Sequence, residues 1–170
     1  MRTDRCTGVT LIELLIGLVI LAMLLAMGLP SMATWMQNSQ LRAAAESIQS
    51  GLQLARAEAV RRNTLVGFNM TGPDSTWTVG VMNPATQIQA RAAAEGTPNA
   101  QIATTDPLIV FNGLGKAAMA DTATIQVTNP TGGACKPGGN MNCLNVTVSV
   151  GGQVKMCDPT LVTATDSRAC

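Results

Sequence analysis

"TGVTLIELLIGLVILAMLLAMGLPSM", residues Thr7 to Met32, decides how the rest of the chain is read. From Val9 to Leu29 the run is apolar apart from Thr10, Glu13 and the glycines Gly17 and Gly28. Its 21 residues match the roughly 20 that a helix needs to cross a hydrocarbon core. "MRTDRCTG" precedes it, with Arg2 and Arg5 on the side that the positive-inside rule keeps cytoplasmic. An ordinary secretory signal has a shorter apolar core with a small-x-small cleavage site after it. Here the core runs on into "GLPSM", and the glycine placed for processing, Gly8, stands before the run. Glu13 is the anomaly. A charge at the centre of a bilayer costs about 2.5–3.5 kcal/mol on insertion scales, so a carboxylate here calls for a function.

Working outward, Pro30 interrupts the helical pattern, and "SMATWMQNSQLRAAAESIQSGLQLARAEAVRRN" resumes it. Leu41, Ala45, Ile48, Leu52, Ala55 and Ala59 recur at three- and four-residue steps and form one apolar stripe, which predicts a core face. Arg42 with Glu46, and Glu58 with Arg62, stand four apart on the solvated side. One helix is expected from about Val9 to Arg62, kinked near Pro30, membrane-compatible in its first half and amphipathic in its second. Met23, Met27, Met32 and Met36 are read as adaptable packing between neighbouring helices. Arg56, Arg61 and Arg62 are read as a solvated face compensating the helix C-terminus.

After Asn63 the composition changes. "TLVGFNM", "TWTVGVM", "PLIVFNG", "TATIQVT", "LNVTVSV" and "QVKMC" are short, β-branched and bounded by Gly, Pro, Asn and Asp. "SVGGQV" sets Gly151-Gly152 between two alternating runs, a strong hairpin signal. Residues 83–106, rich in Ala, Thr and Gln, are expected to form a variable loop. The fold class is therefore α+β, a long helix whose C-terminal half packs on an antiparallel sheet.

Composition excludes several functions. The chain has 170 residues and a formal charge of +1, so no global basic field recruits nucleic acid or anionic lipid. Aromatics make up 2%, which leaves little for stacking on single strands. There is no His, so the commonest general acid/base and the commonest metal ligand are both missing. "GLGK", residues 113–116, lacks the spacing and the Ser/Thr of a phosphate-binding loop. No catalytic residue, cofactor, metal or small-molecule substrate is expected.

Cys135, Cys143, Cys157 and Cys170 are spaced too widely for a zinc clamp and point to two disulfides in an oxidising compartment. Four cysteines allow three pairings. Cys135–Cys143 with Cys157–Cys170 closes short loops around "KPGGNMN" and "DPTLVTATDSRA"; Cys135–Cys157 with Cys143–Cys170 is the alternative.

"G-V-T-L-I-E-L-L" resembles the prepilin cleavage motif of type IV pilin-like proteins, and "LQLARAEAVRRNTLV" followed by short strands resembles the GspH/FimT family of minor pilins and pseudopilins. The resemblance implies a type IV pilin-like fold and a peptidase cut between Gly8 and Val9, with methylation of the new amine. Cys6 would leave with the leader. Val9 departs from the Phe that most members carry. Glu13 becomes the fifth mature residue and Pro30 the twenty-second, where pilins carry those residue types. In a filament, Glu13 would pair with a neighbour's terminal ammonium, and Pro30 would help the helix melt locally on assembly. The plain alternatives are a carboxylate snorkelling from a single-pass anchor and an ordinary kink. The expected division is a leader at 1–8, a membrane and assembly helix at 9–29, its amphipathic continuation at 30–62 and a β-rich head at 63–170.

The resemblance also implies partners: the prepilin peptidase, other major and minor pilins, and the bacterial inner membrane. The chain would span that membrane once, with a periplasmic head, before entering a pilus or pseudopilus. Three roles share this N-terminus: a structural minor pilin of a type IV pilus, a DNA-capturing minor pilin for natural transformation, and a pseudopilin of a type II secretion system. DNA receptors of this family read phosphates through Gly-Arg-x-Arg; here "GGQVKMC" puts Gln153 and Lys155 at the two arginine positions. Gln supplies no charge and Lys no planar fork. Between Lys116 and Cys170 stand four basic and three acidic residues, which is not a basic patch. Lys155 and Arg168 are the candidate DNA contacts, brought together if a Cys157–Cys170 bridge folds the tail back. The alternative is a solvated strand and a polar loop tip, and only weak DNA binding is expected.

Overall fold

The computed structural model describes residues 9–161 and 165–170, and the side chains of residues 27–30 are not among those described. The expected cut after Gly8 and the side chain of Pro30, on which the expected kink rests, thus lie outside the described residues. The chain divides into two compact units, Met1–Trp35 and Met36–Cys170.

Helix α1 runs from Leu11 to Arg62. It starts two residues later than the periodicity predicts, because Thr10 serves as its cap. It stops at Asn63, whose φ of 49° lies in the left-handed region that Asn tolerates better than most residues. In the first unit the side chains of the apolar run are exposed from Leu11 to Leu25. In the second, all six residues of the predicted stripe, Leu41 to Ala59, are fully buried.

Among the described residues eight strands follow, and the antiparallel β-structure expected against the helix is divided into two sheets. The first has the order β3-β2-β1-β5, from β1 (Val66–Met70), β2 (Trp77–Met82), β3 (Ala85–Arg91) and β5 (Leu108–Phe111). The second has the order β4-β6-β7-β8, from β4 (Gln101–Thr104), β6 (Ala123–Thr128), β7 (Leu144–Val148) and β8 (Val154–Cys157). Two isolated bridges, Asp74 with Gln101 and Phe111 with Ala117, tie segments flanking one sheet to the other. Strands β3 and β4 correct the reading of 83–106 as a loop. Both are edge strands; β3 is exposed or half-exposed throughout and β4 buries Ile102 alone of its four residues, so neither carries a hydrophobic run in the sequence.

The α1 stripe and the inner faces of both sheets make one hydrophobic cluster. Phe68 and Trp77 stack at 5.4 Å between ring centroids, and the Trp77 indole N–H donates to the buried Ser47 Oγ on α1 at 2.9 Å. Gly51 sits beneath these rings, where a Cβ would stand 2.7 Å from Phe68. A mid-helix glycine normally costs helix stability, and here it leaves room for the Phe68 and Trp77 rings against α1.

Candidate functional site

Two regions carry the sequence-predicted site residues. At the start of α1, Val9 is exposed and Thr10 closes the helix. The Glu13 backbone N–H donates to Thr10 Oγ1 at 3.3 Å, and the Leu14 N–H to the Thr10 carbonyl at 3.2 Å. Thr10-x-x-Glu13 has the spacing of a capping box, a signal readable in the sequence that the filament reading of Glu13 passes over. A carboxylate in the first turn also complements the helix dipole. Glu13 therefore stands where a negative charge favours the helix start. The apolar half beyond it is long and apolar enough to cross a membrane, and its side chains from Leu11 to Leu25 are exposed.

The second region is the tail. Disulfides join Cys135 to Cys143 and Cys157 to Cys170. The second bridge, with the Asp158–Ala169 bridge beside it, lays the tail against β8. Asp158 N–H donates to the Arg168 carbonyl at 2.7 Å, and Asp158 Oδ1 accepts from the Thr160 N–H at 2.9 Å. Lys155 Nζ reaches the Ala169 carbonyl at 2.7 Å. Arg168 forks onto Asp166 through two hydrogen bonds of 3.1 and 2.8 Å, while its own N–H donates to the same carboxylate. These bonds hold the Asp166 carboxyl at about 2, below its ordinary range, and push the Arg168 guanidinium up. The tail thus draws Lys155 and Arg168 into one neighbourhood and gives each an internal acceptor.

Arg56 is exposed, as expected of a solvated face, and in addition its Nε donates to the Gly115 carbonyl at 3.1 Å and pins the loop after β5. Arg61 and Arg62 share Glu58 at 2.6 Å each, and their hydrogen bonds hold that carboxyl at about 2. Near the start of the head, Asn38 Oδ1 accepts from the Asn142 N–H at 2.7 Å and its Nδ2 donates to the Asn140 carbonyl at 3.3 Å. Gln37 accepts from Asn129. These amides clamp the Cys135–Cys143 loop to α1, and they were not singled out in the sequence because an amide on a helix face carries no periodic signal. Among the described residues, no group of three or more His, Cys, Asp or Glu could hold a metal.

A long helix with a capped, acidic first turn, feeding an antiparallel head stapled by disulfides, defines a pilin-like subunit. The chain belongs to the family described as type II transport protein GspH, whose model matches residues 44–152. The prokaryotic N-terminal methylation motif matches residues 3–29. Among solved structures, the type IV minor pilin FimU of Pseudomonas aeruginosa is similar with a TM-score of 0.58 at 16% identity, over 76% of this chain and 97% of that one. The minor pseudopilin EpsH of the Vibrio cholerae type 2 secretion system is similar with a TM-score of 0.55 at 14% identity, over 72% of this chain and 99% of that one. At such identities the likeness is one of fold. No curated protein matches the sequence.

Proposed function

We propose that this chain is a minor pilin of a type IV pilus, a non-enzymatic structural subunit needed for pilus assembly or for priming at the tip. The observation that carries the reading is α1 itself, whose exposed apolar half begins with a processed-type motif and whose other half is the core of the head. A helix so divided can rest in the inner membrane and later pack among like helices, while the head stays folded in the periplasm. In this reading the peptidase cuts after Gly8 and methylates Val9. Glu13 then meets the ammonium of a neighbouring subunit, a pair whose desolvation offsets much of its attraction, so it sets register more than stability. The tail supports a structural role over DNA capture, since both candidate cations already have acceptors.

The test is a deletion strain in which pilus number, transformation frequency and secretion of a type II substrate are measured together. Loss of pili, restored by wild type and not by Glu13→Ala, is the expected result. Normal pili with lost secretion would make the chain a pseudopilin, and normal pili with lost transformation would make it a DNA receptor.

A further inference from the structure

Residues 14–41 carry no charged side chain, so the uncharged stretch reaches well beyond Leu29. A helix rising about 1.5 Å per residue covers roughly 42 Å over a stretch of that length. That length matches a bilayer with its headgroup layers, about 40–45 Å, rather than the hydrocarbon core of about 30 Å. Within it, Trp35 lies roughly 33 Å from Glu13, just beyond the hydrocarbon core, and Pro30 roughly 26 Å, inside it. Trp35 is 66% exposed, flanked by exposed Met32 and Met36. The polar contacts of the head begin at Gln37 and Asn38, immediately after it. The boundary between the two compact units also falls after Trp35. Indole rings favour the headgroup level, where an apolar body and a polar N–H are both accommodated.

We propose that Trp35 is the periplasmic interface anchor of the chain before assembly, seated among lipid headgroups, so that the span runs from Val9 to Trp35 and Pro30 lies within the hydrocarbon. The occupant of this exposed ring is lipid, because the ring continues the uncharged face below it. The inference rests on the membrane-anchored reading above.

The chain supplies its own control: its second tryptophan, Trp77, is buried and bonded to Ser47. Full-length protein is reconstituted in vesicles of phosphatidylethanolamine and phosphatidylglycerol doped with lipids brominated near the glycerol, at mid-chain or near the methyl end. Emission lost by wild type and not by Trp35→Phe belongs to Trp35. The expected outcome is that bromines near the glycerol remove roughly half of that emission, with the effect falling at each deeper position. Met23→Trp in the Trp35→Phe background should show the reverse order, since it lies about 15 Å from Glu13, at mid-bilayer. Protein that floats with the vesicles while Trp35 is unquenched, or quenched best at mid-chain, overturns the proposal. Protein that fails to float overturns the membrane reading itself.

Discussion

Gly152 sits where the β7–β8 hairpin meets the loop after β5. Its φ is +80°, and a Cβ there would stand 1.9 Å from the Gly115 carbonyl oxygen, the same oxygen that Arg56 holds. Gly152→Ala therefore combines left-handed strain, about 1–2 kcal/mol, with a clash against backbone. A loss on the order of 2–4 kcal/mol is expected in thermal unfolding of the head, from strain plus displaced packing. Asp166 makes a gentler prediction. Its carboxyl ordinarily titrates near 3.8 and is held at about 2, first by the Arg168 side-chain hydrogen bonds. The folded value is depressed, so the pair contributes fully above the ordinary value and its contribution is lost as pH falls through about 2. In a carboxyl-carbon NMR titration, Arg168→Ala should return the Asp166 midpoint toward 3.8.

Helix α1 and the sheets meet through few polar contacts, so each is sensitive. Ser47→Ala removes the acceptor of the Trp77 indole N–H and leaves a buried donor without a partner. The expected cost is about 1–3 kcal/mol, read as a lower urea midpoint with an unchanged slope. The elements themselves were mostly legible. The stripe from Leu41 to Ala59 repeats every three or four residues because one face of α1 is wholly buried. Strands β1, β2 and β5 to β8 announce themselves through β-branched runs between turn residues. Strands β3 and β4 do not, because they expose most of their side chains and hold their place by backbone pairing. Gln87 and Gln89 can pair with β2 as well as any valine could. Thr10-x-x-Glu13 was legible as a capping box but was overshadowed by the charge of Glu13.

At the scale of the whole molecule, the division of the strands into two sheets was beyond reach, since it depends on pairings far apart in sequence. Leu108 in β5 lies against Asn69, whereas Gln101 in β4, close before it, lies against Thr128. The tail shows the same limit. Its net charge was countable, while the Asp166 fork and the Lys155–Ala169 bond needed the chain closed back on itself. DNA affinity falls with salt at a slope near −0.9 per neutralised phosphate, so two occupied cations should bind weakly. The head is expected to give little mobility shift at about 150 mM salt. Gln153→Arg with Lys155→Arg should raise the shift, and tight salt-resistant binding by wild type, lost in Lys155→Ala, would reverse the ranking of functions. Cys157→Ser with Cys170→Ser should destabilise the head by about 2–4 kcal/mol in the same unfolding assay, because the open chain regains entropy.

The outer face of the first sheet has one further consequence. Gly67 pairs with Gly80 in register, and the bare backbone at Gly67 is roofed by Met82 and Leu108, with the Met82 sulfur 2.8 Å from where a Cβ would stand. Met82 is 42% exposed, whereas Met141 is 1% exposed. A sulfoxide at Met82 would exchange an apolar cover for a polar, chiral one. Brief peroxide treatment followed by peptide mass mapping should convert Met82 well before Met141, and reductase repair should restore the roof. Oxidant in solution would thus reach the cover over Gly67 well before it reaches the buried sulfur of Met141.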